Sequence, residues 1–353
     1  MDLPTTAWQG VELEQRLAWA RRWMQRTAAA AGRLPDMATV RLAVTAHLDL
    51  KSALFLQAYR EAGAAVIVHP ADPATTRPDV QRLVETWGIQ VTDPGACVEW
   101  RPTHTVEMGG DIVVEAAARG YDGVVAGIEM TRTGLNRVAA LALSYPVFDL
   151  DGVPLKNQLH NRFTVGTSTW HTVVARTQLS LNGLDVLVAG YGEVGAGLAR
   201  TARGLGAIVQ VAEVDPARAL VASYDGFEVV ELGGDRADIV VTATGRTGTV
   251  SADVISGLKD GCLIVNAGHS PDEIDLGALG AGEQAIPSVT RHRVGGREIL
   301  LFAGGHVANL AAGDGDSLNA FDITAALIVD SAGWLVAHGN EYPAGLHPYP
   351  GPS

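Results

Sequence analysis

Along the first half of the chain the apolar positions switch between a helical and an extended period. Leu13, Leu17, Ala20 and Met24 recur at helical spacing within residues 11–31, and the mostly apolar run Val40–Ala46 reads as a buried strand. The pattern then predicts a helix over Ala53–Ala62, a strand over Ala64–Val68, a helix near Val80–Trp87 and a strand over Gly123–Ala126. In the second half, Leu184–Ala189, Ala207–Ala212, Asp238–Thr244 and Leu263–Ala267 read as strands, with a helix over Ala196–Leu205. Strands alternating with helices imply parallel sheets. Between the halves, Asp151–Asn161 is polar with little periodicity and precedes a helix expected near Ser168–Arg176, which predicts an interdomain connector. The expected fold class is therefore α/β, with two doubly wound, Rossmann-like parallel-sheet domains and a cleft between them. The boundaries expected are 1–152 with 318–341 for a substrate domain, 160–316 for a dinucleotide domain, and 342–353 for a short C-terminal tail.

Bulk composition agrees with two cores: 353 residues exceed one ordinary domain, and 47% apolar against 18% charged residues suits a folded enzyme. With 26 Lys and Arg against 39 Asp and Glu, the net charge of −13 argues against a nucleic acid partner, because such binding needs cations to displace phosphate counterions. Cys97 and Cys262 match no metal-ligand spacing, so no metal is expected, and both are expected to be buried and inert in a reducing compartment. Asp2, Glu12 and Glu14 interrupt the N-terminus, and no stretch reads as the ~18 apolar residues that span a bilayer. The expected location is cytoplasmic, without a membrane partner.

One segment carries explicit chemistry. After the strand Leu184–Ala189, Gly190–Tyr191–Gly192–Glu193–Val194–Gly195 supplies G-x-G-x-x-G and leads into a helix. Gly190 permits the tight turn, Gly192 lets backbone approach a pyrophosphate, and Gly195 allows close helix–strand packing; the N–H groups around Glu193 and Val194 open the helix toward the anion. The next strand ends at Glu213, 23 residues after Gly190, where a carboxylate can accept from both ribose hydroxyls. That favours NAD; Arg218 nearby is the residue that could instead reach a 2′-phosphate. Thr244, Gly245, Ala267 and His269 follow later strands and are expected to line the other half of the cofactor crevice. In the first half, His47, Gly109–Asp111 and Thr131–Gly134 fall at strand ends, where ligands of parallel sheets bind, and Asp151, which opens the connector, is a substrate-binding candidate.

The run VAGYGEVGAGLARTARGLGAIVQVAEVDPARAL, with VNAGHSPDEID, HVANLAAGDGD and the late YPAGLH, resembles the S-adenosylhomocysteine hydrolase family. The resemblance is high over Leu184–Asp275, recognisable over Pro146–Asn161 and Arg41–Ala65, and weaker between Pro70 and Asp122. It implies a tightly held NAD⁺ that oxidises a ribose 3′-hydroxyl, after which the 4′-proton is removed and the 5′-substituent is eliminated. It further implies that Lys156 helps deprotonate the 3′-hydroxyl, that Asn161 stands at the nicotinamide, and that His47 lies near C4′ and C5′. Thr131 and Thr133 fall on a threonine run that touches NAD, with Arg132 as its middle member, and Asn309 and His269 match ligand-side positions.

The departures are informative. Met108 stands where the family has the aspartate paired with its active-site histidine, and Met130 replaces a glutamate, so by position both methionines are expected to contact the substrate. The aspartate before Asn161 has become His160, and the histidine late in the cofactor domain has become Asp316. His47 or His160 is therefore expected to handle the proton. In the base pocket the chain reads His47–Leu48–Asp49–Leu50–Lys51; an ammonium can only donate, so Lys51 suits an oxo-base, as in family members carrying H-x-E-x-K. The resemblance implies a divergent, shortened member without the C-terminal tail, forming a homo-oligomer, dimer or tetramer. The readings left open are 4′,5′-dehydration of a nucleoside, hydrolysis of S-adenosyl- or S-inosylhomocysteine, a 3′-keto-dependent epimerase or dehydrogenase, and a non-catalytic NAD-binding paralogue.

Overall fold

A computed structural model describes residues 10–351, and these divide into two compact units, 10–157 with 318–351 and 158–317. The first unit opens with two helices, α1 (Leu13–Trp23) and α2 (Gln25–Ala31). Met24 separates them: its backbone leaves the helical region (φ −113°, ψ 54°), while its side chain stays buried on the shared apolar stripe. The sheet comprises β1 (Arg41–Ala46), β2 (Ala65–Pro70), β3 (Gln90–Val91), β4 (His104–Glu107), β5 (Ala126–Glu129) and β6 (Pro146–Asp149). Helices α3 (Leu50–Glu61), α4 (Pro78–Thr86), α5 (Pro94–Glu99), α6 (Asp111–Ala118) and α7 (Arg132–Val138) connect them. Every pairing is parallel. The strand expected over Gly123–Ala126 begins only at Ala126, because its ladder with β4 starts at His104 opposite Ala126.

The connector is not aperiodic coil. Leu155–Val165 is a π-helix that runs on into α8 (Gly166–Thr177). Hydrogen bonds from i to i+5 widen the turn, so the segment carries no 3.6-residue pattern to recognise.

The second unit holds β7 (Asp185–Ala189), β8 (Ile208–Ala212), β9 (Glu228–Val229), β10 (Ile239–Thr242), β11 (Cys262–Asn266), β12 (Gly282–Ile286), β13 (Val289–Val294) and β14 (Arg297–Phe302). Its helices are α9 (Glu193–Gly204), α10 (Pro216–Tyr224), α11 (Ala252–Gly257), α12 (Leu276–Leu279) and α13 (Ala308–Ala311). The order β9-β8-β7-β10-β11-β14 is parallel, and β13 and β12 extend it as an antiparallel hairpin. Chain direction across the sheet reverses between β7 and β10, so a ligand crevice opens at their carboxyl ends.

The chain then returns to the first unit as α14 (Leu318–His338) and β15 (Gly345–Pro348). By length and composition Leu318–Glu341 could cross a membrane, contrary to the expectation from sequence, but 56% of its apolar 18-residue window is buried within the protein. Ala325, Val329, Ala332 and Leu335 pack into the core, and Asp322 accepts from the Arg26 and Thr27 amides, which fixes α2 against it. The segment expected as a tail supplies an edge strand instead, β15 pairing in parallel with β6. Cys97 and Cys262 are free and buried, and burial pushes both thiols up to about 12.

Candidate functional site

The glycine motif forms a cradle at the end of β7. Gly190 has φ +94°, a conformation that side chains rarely adopt, and a Cβ on Gly195 would lie 2.0 Å from the Gly190 carbonyl oxygen. Gly192 caps α9 and faces open space apart from Arg218 Nη1, 3.7 Å from where its Cβ would be. Val194 packs on the core, while the Glu193 carboxylate accepts from Arg162 at 3.2 Å, so these two positions offer backbone rather than side chain. Glu213 accepts from the Tyr191 amide at 2.6 Å and the Asp215 amide at 2.8 Å, which fixes its carboxylate against the glycine turn. Arg218 lies exposed in the first turn of α10.

Across the crevice a residue missed by sequence reasoning organises the loops. Glu273 is buried and accepts from Thr242 Oγ1, Thr244 N, Thr244 Oγ1 and Gly245 N at 2.5, 3.0, 2.9 and 2.8 Å. The amides of Thr244 and Gly245 are therefore committed to a carboxylate of the protein. Gly268 must lack a side chain because a Cβ there would lie 1.6 Å from Glu273 Oε1. Asn266, also buried, donates to the carbonyls of Ser270 and Gly305 and accepts from the Gly268 amide, so the loop bearing Ala267 and half-buried His269 is pinned at both ends.

The π-helical segment carries Lys156 one turn before His160 and Asn161; Lys156 and Asn161 are half-buried. Its following turn lies against α9 at glycines: a Cβ on Gly197 would meet the Arg162 carbonyl oxygen at 2.1 Å. His160 is buried, with Nε2 2.6 Å from Asp316 Oδ2. Asp316 Oδ1 accepts from Ser168 Oγ at 2.5 Å, and Ser168 Oγ accepts from Asn309 Nδ2 at 2.9 Å. Asn309 is 3% exposed, and its Oδ1 is sealed from solvent with no hydrogen-bond partner among the described residues. A buried acceptor without a donor costs about 1–3 kcal/mol. A carboxamide N–H donor would satisfy it, and together with the glycine cradle and Glu213 the residues of this unit fit NAD.

In the other unit His47, Met108, Met130 and Asp151 follow adjacent strands β1, β4, β5 and β6. His47 is half-buried, its Nδ1 2.7 Å from Thr75 Oγ1, a second residue that sequence reasoning missed. Asp49 caps α3 through the Lys51 and Ser52 amides, and its carboxylate pairs with Lys51 Nζ at 2.5 Å. Lys51 is 4% exposed, so it is no solvated surface lysine. The two methionines correct the expectation of substrate contact, because Met130 is buried in the hydrophobic core and Met108 is half-buried against it. The acids of this edge are their neighbours. Glu107 accepts from the Ile112 and Val113 amides, and Glu129 accepts from the Gly109 and Thr131 amides and Thr131 Oγ1. Glu107 and Glu129 are in register and fully buried. Burial, then Glu129, push Glu107 up to about 8, and burial pushes Glu129 up to about 7, against the pull of the amides. Thr131 is thus occupied as the cap of α7, Thr133 is half-buried, and Arg132 reaches Asp151 at 2.9 Å. The sequence signal for Glu107 is a carboxylate closing a strand just before a glycine turn, and for Glu129 a carboxylate closing a strand just before a capped helix.

Residues 161–315 match the family described as S-adenosyl-L-homocysteine hydrolase, NAD binding domain. An adenosylhomocysteinase of Thermotoga maritima is 33% identical over 355 residues, covering 92% of this chain and 87% of the relative. An S-inosyl-L-homocysteine hydrolase of Methanopyrus kandleri is 31% identical, covering 95% of this chain and 86% of the relative. Among solved structures, a phosphoglycerate oxidoreductase from Vibrio cholerae superposes with a TM-score of 0.51 at 14% identity, over 84% of this chain and 99% of that one. That last likeness concerns the fold alone.

Proposed function

The chain belongs to the S-adenosyl-L-homocysteine hydrolase family, and from that premise we propose that it is an NAD-dependent enzyme that transiently oxidises C3′ of a nucleoside, removes the C4′ proton and eliminates the C5′ substituent. The proposed leaving group is the 5′-hydroxyl, lost as water, which makes the net reaction a 4′,5′-dehydration. The observation that carries this departure from thioether hydrolysis is the rebuilt acid–base set. Uncharged thioethers stand at Met108 and Met130, the His47 Nδ1 atom lies against the neutral Thr75 hydroxyl, and a carboxylate backs His160.

When bound, NAD⁺ supplies a reversible hydride acceptor, so that C3′ is a ketone during the middle of the reaction. Gly190, Gly192 and Gly195 would hold its pyrophosphate, Glu213 its adenosine ribose, and Asn309 Oδ1 its carboxamide. Lys156 takes the 3′-hydroxyl proton, and His47 or His160 takes the C4′ proton, which a neighbouring ketone renders acidic. His269, Asn161 and the Thr131–Thr133 turn are assigned to the cofactor side, and Asp151 to the sugar.

A second reading is favoured by one specific observation. Lys51 is buried and paired with Asp49, and as a donor it suits a base carrying a carbonyl. That supports hydrolysis of an oxo-purine thioether, the activity named for the Methanopyrus kandleri relative. Incubating the protein in D₂O with adenosine, inosine, uridine and their 5′-thioethers separates the readings by mass spectrometry. Loss of water from a free nucleoside is expected; released homocysteine would establish the second reading. No mass change, no deuterium at C4′ and no reduced nicotinamide absorbance would end both.

A further inference from the structure

We infer that Arg218, which stands outside the glycine motif, binds the diphosphate of the dinucleotide. That role rests on the NAD-binding half of the proposed function and is independent of the nucleoside reaction.

Nothing in the fold of this unit accounts for the residue. Arg218 belongs to the first turn of α10, where the amides of Ala217 and of Arg218 itself donate to the capping carboxylate of Asp215. A cation at that end of a helix opposes the helix dipole, so α10 gains no stability from it. The side chain is exposed, and among the described residues its guanidinium makes no hydrogen bond and no ion pair. The acids close to it in sequence are engaged by backbone: Glu213 accepts from the Tyr191 and Asp215 amides, and Asp215 caps the helix. The surrounding arginines, in contrast, are each committed within the unit. Arg162 Nη1 meets Glu193 Oε2 at 3.2 Å and its Nη2 lies 3.9 Å from Asp225 Oδ2. Arg200 lies over the Phe163 ring, and Arg203 stacks on Phe227 and donates to the Asp225 carbonyl.

What Arg218 does approach is the anion cradle. Its Nη1 lies 3.7 Å from the position that a Cβ on Gly192 would take, and among the described residues no other atom beyond the neighbouring turn comes within 4 Å of it. Gly192 is the residue whose missing side chain leaves room for a diphosphate. A guanidinium at this distance closes the cradle from the α10 side and offers the phosphates a fork of N–H donors. The cradle needs that charge. Glu193 opens α9 with a carboxylate at the helix end that should receive an anion, and Arg162 is shared between Glu193 and Asp225, which leaves those three groups with one net negative charge. Without Arg218, a doubly charged diphosphate would face a negative rim. A 2′-phosphate is the other anion within this chemistry, and Glu213 excludes it: two amides pin the carboxylate at the position assigned to the adenosine ribose, where a phosphate would meet like charge.

The test uses the full chain freed of dinucleotide and calorimetric titration with NAD⁺, ADP-ribose and NADP⁺ over a series of salt concentrations. Arg218→Ala is compared with Arg218→Lys and with Arg236→Ala, which removes a cation paired with Asp185 and Glu228 at the opening residue of β7 instead of its end. In Arg218→Ala, affinity for NAD⁺ and for ADP-ribose is expected to fall equally, by about tenfold or more, as loss of a charge-assisted hydrogen bond commonly does, and to depend less steeply on salt. Arg218→Lys should recover part of the affinity, and Arg236→Ala should match wild type. At saturating NAD⁺, the ³¹P resonances of the bound diphosphate should move in Arg218→Ala and stay in place in Arg236→Ala. Unchanged affinity and ³¹P shifts in Arg218→Ala would make the residue a solvated surface arginine and overturn the assignment. A loss confined to NADP⁺ would place the guanidinium at a 2′-phosphate, and a loss with wild-type ³¹P shifts and salt dependence would place it at the base or ribose; either result overturns it too. If wild type binds neither NAD⁺ nor ADP-ribose, the cofactor assignment has failed and this one with it, whereas absence of nucleoside turnover leaves the binding measurement decisive.

Discussion

One carbon atom at Gly195 would sit 2.0 Å from the Gly190 carbonyl oxygen, and neither backbone can yield without opening the turn between β7 and α9. Gly195→Ala should therefore cost roughly 1–3 kcal/mol of stability, as overpacking commonly does, and abolish the thermal stabilisation that NAD⁺ confers; differential scanning fluorimetry with and without NAD⁺ checks both. Glu213 acts through charge instead of space. With two amides already fixing its carboxylate, Glu213→Gln keeps the shape but replaces one acceptor oxygen with a donor. NAD⁺ affinity should drop by about tenfold, the loss of one charge-assisted hydrogen bond, while NADP⁺ loses less because a repelling anion has gone. Titration calorimetry with both dinucleotides measures the ratio.

At the scale of elements, Glu273 fastens the end of β10 to the loop after β11, although 31 residues separate it from Thr242. Glu273→Ala would strand several buried donors, each worth about 1–3 kcal/mol, so a fall in melting temperature is expected together with weaker NAD⁺ binding. Hydrogen exchange at the Thr244 and Gly245 amides should rise while the β7 amides stay protected. This loop also marks what the sequence could disclose. The βαβ unit around Gly190 was legible because its signal is local: a strand, three glycines, a helix and an acid at fixed spacing. The roles of Glu273, Thr75 and Ser168 depend on partners brought together by the folded chain, and no local period announces them. Leu155–Val165 escaped recognition for another reason, since a π-helix lacks the repeat by which helices are read. Met108 and Met130 were read by position as ligand contacts, whereas burial gives Met130 to the core and leaves the acids at Glu107 and Glu129 inside.

For the whole molecule, that buried pair makes stability depend on pH. Both carboxyls hold their protons more tightly when folded, at about 8 and about 7 against 4.5 for an ordinary glutamate. Their contribution is complete below about pH 4.5 and is lost as the pH rises through about 7 and 8, at up to ~1.4 kcal/mol per pH unit for each group. Urea unfolding at a series of pH values should show declining stability across that window and a plateau above it. Glu107→Gln should flatten the decline, and an unchanged slope would remove the pair as its cause. Net charge contributes repulsion of its own at high pH, which the glutamine variant leaves nearly intact and so separates from the pair.

The return of α14 and β15 to the first sheet has a consequence for biogenesis. A ribosome releases 158–317 as one uninterrupted stretch, whereas the polypeptide of 10–157 emerges earlier without the helix that fills its interior and the strand that closes its edge. Nascent domains otherwise tend to mature from the N-terminus onward. Here the dinucleotide half can be finished while the other half still waits for its last thirty or so residues, so the portion made first is the portion completed last.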